Sequence, residues 1–451
     1  MLDFTKLHRV HLLGIGGISM SSIAMLLTKF GIKVSGQDKV FSEKLLSLSD
    51  HGITVYVGTE LSALDCVDLV VYSSAIKKDS PELIYCQKNN IPTMERYLFL
   101  GIVSRQFENT IAIAGTHGKT TTTSMLTRVI MDASIPFCAH IGGEAVGIGN
   151  FFYSGNKYFV TEACEYRQSL LALKPDIAIV LNAESDHPDT YKSLTELYDT
   201  FDNFVSSSKI AIINGDSNYY KNRQFHNKNV ITFGLEKNNH YVISNLKERA
   251  DACYSYDLAH FGIPICHVEL NIESIHTVFN SAAAIICSTL LKVCLPGAVN
   301  SIFNFQGVQR RFQKLGYCQG AQVISDYAHH PTEVYASIAT AKKKLAERGQ
   351  LYAVFQPHTF SRTFSLFSEF LQCFTHCDAL IICKEYSARE TPNMGISAKQ
   401  LFDNIEHKKK HYYDNILDIA GYLIERIKPN DIILILGAGD IDNLGKILLI
   451  D

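Results

Sequence analysis

The chain has 451 residues, 47% of them hydrophobic and 19% charged, with a formal net charge of −3. That length exceeds what one hydrophobic core usually spans, so several domains are expected, and the apolar content excludes wholesale disorder. The near-neutral balance argues against a sequence-independent grip on nucleic acid, which needs a basic excess, and so favours small substrates. No apolar run reaches the roughly 18 residues that span a bilayer. The opening MLDFTKLHRVHLLGIGG has an acidic residue and early glycines in place of a signal peptide. A cytoplasmic protein without membrane contact is expected. Twelve cysteines lie scattered without a CxxC pair and read as reduced core residues.

The first hundred residues alternate short apolar strands with helical patterns, from VHLLGIG through IKVSGQD to DLVVYSSAI. That is the grammar of a parallel sheet covered on both faces. In HLLGIGGISMSS, Gly14, Gly16 and Ser19 occupy the places of GxGxxG between a strand and a helix. Asp38 ends the next strand, where an acidic residue meets a ribose hydroxyl in dinucleotide folds. Glycines let a diphosphate approach the backbone and the helix N-terminus supplies amide donors, but the pattern does not choose NAD over a nucleotide sugar.

A second start follows near Asn109. The strand ENTIAIAG runs into Gly115-Thr116-His117-Gly118-Lys119-Thr120-Thr121, a phosphate loop with two residues between its glycines where the general motif has four. Lys119 would reach the β and γ phosphates, Thr120 would place its hydroxyl on magnesium, and the amides of residues 116 to 120 would cradle oxygens. Four consecutive threonines make a poor helix start, which suggests selection for something besides helix stability. Glu162 after KYFVT and His187 after IAIVLNAESD fall just past strand ends, where both could hold magnesium beside the loop; Asp186 and Asp189 are rival ligands, and Glu162 or Glu165 could instead be a solvated rim residue. Residues 230 to 275 alternate and suggest antiparallel strands before the helix HTVFNSAAAIICSTLL.

A third module opens near Gly307, with strands at QVISDYA, LYAVFQPH, DALIICKEY and DIILILGAG. Arg310, Arg311, His329, His330, His358, Arg362, Arg389 and Glu390 fall near strand ends or the module start, a set suited to anionic substrates. Gly437, Gly439 and Asp440 read as a structural turn. The expected architecture is three α/β domains, residues 1–105, 106–307 and 308–451.

These motifs, GIGGxxM, AGTHGKTTT, LNxExDH, RRF and DYAHHPTE in that order, resemble the Mur ligase family along the whole chain. The resemblance implies a Rossmann-like N-terminal domain, a central P-loop ATPase domain and a Rossmann-like C-terminal domain that closes over the site. It assigns Gly14, Ile15, Gly16, Gly17, Asp38, Ser73, Ser74 and Ala75 to a UDP-sugar. Lys119 and Thr120 would serve ATP and magnesium, with Glu162 and His187 completing the metal set. Arg311 would meet the transferring phosphate, Asp326 the ribose, Asn280 the adenine and His329 the reacting carboxylate. Tyr327, His330, His358, Arg362, Tyr386 and Arg389 would form the amino-acid and acyl pocket. Three departures stand out. Cys164 replaces an acidic neighbour, Thr277 replaces an adenine-side asparagine, and TYKSLTELYDTFDNF has no lysine where some sister ligases carry a modified one. The activity implied is an ATP- and Mg2+-dependent joining of L-alanine to the lactyl carboxylate of UDP-N-acetylmuramate, in peptidoglycan precursor synthesis. The alternatives are a ligase adding a tripeptide to the same nucleotide sugar and a non-catalytic UDP-sugar sensor.

Overall fold

The computed structural model describes residues 4–186, 190–225, 229–249, 252–388, 390–391 and 395–449. The first sheet contains β1 (Arg9–Leu13), β2 (Lys33–Asp38), β3 (Thr54–Val57), β4 (Leu69–Tyr72) and β5 (Thr93–Glu95), all parallel, in the order β3-β2-β1-β4-β5. The strand order reverses between β1 and β4, so a crevice opens at their carboxyl ends. Gly14 and Ser73 begin the two loops there, and a Cβ on Gly14 would sit 3.3 Å from the Ser73 Cβ.

The second sheet has ten strands: β6 (Asn109–Ala114), β7 (Phe137–Ala145), β8 (Gly149–Tyr153), β9 (Tyr158–Glu162), β10 (Ile177–Val180), β11 (Ile210–Asn214), β12 (Val230–Gly234), β13 (Tyr241–Glu248), β14 (Cys253–His260) and β15 (Ile263–Glu273). Their order is β15-β14-β13-β12-β11-β10-β6-β9-β7-β8. The loop after β6 therefore lies between the segments that leave β9 at Glu162 and β10 at Val180. Ile111 to Ala114 are fully buried, as a strand covered on both faces requires. The region expected to be antiparallel is mixed: β12 pairs parallel with β11 and with the start of β13, and antiparallel pairing begins at β13-β14-β15. The β14–β15 hairpin turns on Phe261 (φ 48°) and Gly262 (φ 80°), both left-handed, as a two-residue turn between twisted strands needs.

The third sheet contains β16 (Gln313–Cys318), β17 (Ala321–Asp326), β18 (Leu351–Phe355), β19 (Ala379–Cys383), β20 (Lys410–Tyr413) and β21 (Ile432–Leu436), in the order β16-β17-β21-β18-β19-β20. Only β16 runs antiparallel to its neighbour. The first two sheets share a hydrophobic cluster, in which Phe107 packs 5.9 Å from Phe30 and 4.9 Å from Phe159, ring to ring. That contact packs the C-terminal end of the helix Ile18–Lys29 against the second sheet.

Candidate active site

The shortened loop is held from the side. Thr116 N–H donates to Asn182 O at 3.3 Å, and the Asn182 side chain accepts from His117 N–H at 2.8 Å and donates to His117 O at 3.1 Å. Glu184 N–H donates to the Thr116 hydroxyl at 2.9 Å. With the LNAE segment as a backing, two residues between the glycines complete the turn. Gly118 takes φ 84° at the N-cap of the helix Lys119–Asp132, and a Cβ there would lie 2.4 Å from Asn280 Oδ1. Only glycine fits that backbone and that neighbour. Lys119 Nζ donates to Gly115 O, to Thr116 O at 3.2 Å, and to Glu165 Oε2 at 2.9 Å. Burial would lower the Lys119 pKa, but Glu165 outweighs it and holds the ammonium charged.

Glu162 lies beside the first helical turn. Its carboxylate accepts from Gly142 N–H at 2.6 Å. Burial raises its pKa, against the hydrogen bonds from Gly142 and from Thr120 and the charge of Lys119. Two glycines leave the space it uses: a Cβ on Gly142 would meet the Glu162 carboxylate at 2.6 Å, and one on Gly143 would meet Thr120 Cγ2 at 2.9 Å. A hydroxyl and a half-buried carboxylate side by side are hard oxygen donors, and magnesium fits them. His187, the expected third ligand, lies outside the described residues, as does its rival Asp189.

In the first crevice, Gly17 is the N-cap of the helix Ile18–Lys29 and offers no capping side chain, so the first-turn amides stay open. Gly16 N–H donates to Asp38 Oδ2 at 2.9 Å. Ile15 is fully buried, and its side chain packs against Gly36, so only its backbone faces the loop. Ser73 accepts from Ala75 N–H at 3.3 Å, and Ser74 lies between them.

The third sheet faces the phosphate loop. Asp326 ends β17, accepts from the Ser337 hydroxyl and from Ala328 N–H, and is pushed up to about 6 by burial. A cleft between the second and third sheets is lined by Gly118, Thr121, Asn280, Arg311 and Asp326, with Thr277 at its wall. Thr277 spends its hydroxyl on Ser274 O at 2.6 Å. Glu333 is the hub of this face. It accepts from His117 Nδ1 at 2.9 Å, lies 3.6 Å from Arg311 Nη1, and receives His329 N–H at 3.3 Å. Burial opposes its charge, but His117 outweighs burial and holds the carboxyl well below its ordinary range. His117 is reciprocally raised to about 10: burial lowers it, and Glu333 with Glu184 overcomes that.

A second group gathers beside it. Arg362 is buried and donates to both Asp186 oxygens, at 3.0 and 3.3 Å, and its Nη1 lies 3.0 Å from His358 Nδ1. His358 stacks on Tyr386 with ring centroids 5.7 Å apart and lies 5.9 Å from His329. His329 donates from Nδ1 to Tyr327 O at 2.8 Å, which leaves Nε2 with a lone pair. Burial first, then Arg362, lowers its pKa to about 3, so it is neutral. Tyr327 lies under Arg310 and Arg311, 5.0 and 5.1 Å from the ring centre. His330 sits apart from the His358 group. It caps the helix Pro331–Lys344, lies 3.2 Å from Ser185 O, and packs 4.9 Å from the His117 ring. Arg389 lies outside the described residues; Glu390 is engaged by Ser361. Arg310 binds Gly437 O and Gly439 O, in keeping with a structural turn.

Sequence reading passed over Glu184 and Glu333, treated Asp186 only as a rival metal ligand and took Glu165 as a possible solvated rim residue. Each is a carboxylate whose cationic partner is far along the chain. The only local signal was their place inside the LNxExDH, DYAHHPTE and EACEYR blocks.

The fold and site together define a three-domain α/β phosphate-loop enzyme. Three family models match in series: "Mur ligase family, catalytic domain" over residues 9–108, "Mur ligase middle domain" over 113–288 and "Mur ligase, glutamate ligase domain" over 310–439. The chain belongs to the Mur ligase family. Among its relatives are UDP-N-acetylmuramate–L-alanine ligases of Clostridium acetobutylicum, 37% identical over 99% of this chain and 98% of that protein, and of Clostridium perfringens, 36% identical over 98% and 97%. A solved UDP-N-acetylmuramate-alanine ligase from Thermotoga maritima has the same fold, with TM-score 0.83 and 24% identity over 98% of each chain. A murein peptide ligase from Psychrobacter arcticus follows at TM-score 0.77 and 23% identity, also over 98% of each chain.

Proposed function

We propose that this enzyme joins L-alanine to the lactyl carboxylate of UDP-N-acetylmuramate at the expense of ATP, through an acyl phosphate. The reading rests on one juxtaposition: His117, Gly118 and Thr121 of the phosphate loop share a single cleft with Arg311, Asp326 and Glu333, and Arg311 is close enough to Glu162 to lower its pKa. The relatives at 36–37% identity carry the L-alanine ligase name, which favours the single amino acid over a tripeptide. Residues 1–105 hold the nucleotide sugar, 106–307 hold ATP, and 308–451 supply the ribose contact and the amino-acid pocket.

A carboxylate resists attack because its charge repels nucleophiles and oxide is a poor leaving group; phosphorylation removes both obstacles. Positioning and charge neutralisation then do most of the catalysis. Lys119, released from Glu165, meets the β and γ phosphoryl oxygens. Arg311 neutralises the transferring group, and Asp326 takes the ribose hydroxyls. Asn280 meets the adenine against the loop. Thr120 and Glu162, with His187, would hold magnesium, which when bound neutralises phosphate charge. The carboxylate oxygen attacks the γ phosphorus and ADP leaves. The amine of L-alanine attacks the acyl carbon, and phosphate departs as the amide forms. His329 Nε2, with an available lone pair, accepts a hydrogen bond from the attacking amine and orients it, and the proton the amine must shed leaves with the departing phosphate. Arg362, His358, Tyr386 and Arg389 hold the amino acid and acyl group. Closure of the third sheet excludes the water that would hydrolyse the acyl phosphate.

UDP-N-acetylmuramate labelled with 18O in the lactyl carboxylate tests the chemistry. The expected result is one 18O per phosphate released. Unlabelled phosphate would rule out the acyl phosphate.

A further inference from the structure

The first and second sheets are joined by a line of polar side chains that the phosphate loop does not use. Arg96, first residue of the helix Arg96–Ser104, donates from Nη1 to Ser19 Oγ at 2.8 Å. Ser19 stands in the first turn after the Gly14–Gly17 loop. Its Oγ is 2.7 Å from His140 Nε2, and His140 Nδ1 is 3.0 Å from Thr161 Oγ1. The Thr161 hydroxyl donates to the backbone carbonyl of Glu162 at 3.2 Å. His140 on β7 and Thr161 on β9 are register partners, and both are buried.

The two ends of this line set its direction. The Glu162 carbonyl can only accept, so Thr161 gives it a proton and must accept from His140 Nδ1–H. Burial, and then Arg96, hold the imidazole neutral, with a pKa lowered to about 3. Nε2 is then an acceptor, so Ser19 donates to it and itself accepts from Arg96, an obligate donor. Each link is satisfied in one sense only.

The line also reaches the Glu162 carboxylate by a second route. Gly142, two residues beyond His140 on β7, donates its N–H to Glu162 Oε1 at 2.6 Å. From β8, Asn150 Nδ2 donates to Ile18 O at 2.6 Å and to Ser21 Oγ at 2.9 Å, tying the same hairpin to the same helix. A displacement of the helix start therefore bears on both the backbone and the side chain of Glu162.

We propose that Arg96, Ser19, His140 and Thr161 form a positioning relay that couples the Gly14–Gly17 loop to Glu162, so that a nucleotide sugar seated on the loop raises the affinity of the second domain for magnesium–ATP. The inference rests on the reading of that loop as the UDP-sugar site. A diphosphate there draws on the first-turn backbone of Ser19 and on the charge of Arg96. It thus acts on one end of the relay and not on the other, the difference that coupling requires. The relay orders the two substrates without touching the reacting atoms.

Titration with magnesium and β,γ-methylene-ATP, with and without saturating UDP-N-acetylmuramate, tests it. The wild-type enzyme is expected to bind the analogue at least about five-fold tighter with the sugar present. His140→Phe and Thr161→Val should bring that ratio to within about two-fold of unity, with the affinity for each ligand alone changed by no more than about two-fold. Thr161→Val keeps the branched shape and removes one hydroxyl, which guards against misfolding of the histidine variant. A wild-type ratio of one, or a ratio that both variants retain, overturns the relay. Failure of the wild-type enzyme to bind UDP-N-acetylmuramate at all overturns the reading of the loop, and the relay with it.

Discussion

The two glycine loops use the same device and fill it differently. Each follows a central strand whose two neighbours run parallel to it and opens into a helix N-terminus, where amides and dipole favour an anion. Around Gly14–Gly17 the charge bonded into the loop is a carboxylate, Asp38, the guanidinium of Arg96 stands behind Ser19, and the helix start stays open. Around Gly115–Gly118 the nearby charge is an ammonium, Lys119, and the loop is laced to Asn182, Glu184 and, through His117, to Glu333 of the third sheet. The helix end attracts phosphate in both. On the proposed function, what separates a site that holds a nucleotide sugar from one that transfers a phosphoryl group is the side chain bonded into the loop and the tie to the third sheet.

The sharpest way to break this comparison is to remove the ammonium. Lys119→Ala should lower turnover by about a thousand-fold or more, the scale on which phosphoryl-transfer charge is stabilised. Its affinity for UDP-N-acetylmuramate by calorimetry should stay within about two-fold, because the proposed function puts the two ligands in different domains. An equal loss of both would join the two loops into one site.

Next in size is the tie to the third sheet. Glu333→Gln removes the partner of His117 and the neighbour of Arg311, and kcat/KM for ATP should fall about a hundred-fold, with sugar affinity unchanged. The glycines give a matched pair of smaller effects. Gly118→Ala places a methyl against Asn280 in a left-handed backbone, where the backbone alone costs about 1–2 kcal/mol, and should weaken ATP-analogue binding at least about ten-fold. Gly14→Ala meets Ser73 at 3.3 Å with φ 79° and should instead weaken UDP-sugar binding by about that factor. If each substitution weakened both ligands alike, the division of labour would fail.

The smallest effect is on stability. His117 is raised from 6.5 to about 10, so its contribution is complete below 6.5 and is lost as pH rises toward 10. His140 and His329 are lowered from 6.5 to about 3, so theirs is present above 6.5 and lost as pH falls toward 3. Thermal unfolding without ligands should therefore show highest Tm near neutrality, and His117→Gln should flatten only the alkaline limb. A Tm of the variant that still falls above pH 8 as in wild type would remove the His117–Glu333 pair as the source of the alkaline limb.

Much of this was legible in the chain because it is local. Apolar runs ending in glycine place β1, β6 and their helices, and AGTHGKTTT announces its ligand. The short or flanking strands β3, β5, β7, β8, β16 and β20 were missed; β3 and β20 have no fully buried residue, so their patterns are weak. The expected antiparallel run begins one strand late, since nothing in VITFG tells a parallel neighbour from an antiparallel one. The site residues passed over depend on distance along the chain. Glu333 meets His117 across 216 residues and Arg362 meets Asp186 across 176, and no local pattern encodes such pairs. Among the described residues no helix is long and apolar enough to cross a membrane.

The central claim is tested most directly by phosphate release from ATP with UDP-N-acetylmuramate and, in turn, L-alanine, a muramyl tripeptide, or no acceptor. Sustained release that requires both the nucleotide sugar and L-alanine, with amide product formed one for one, is the expected result. Release supported by the tripeptide and not by L-alanine, or nucleotide-sugar binding with no release under any acceptor, would contradict it.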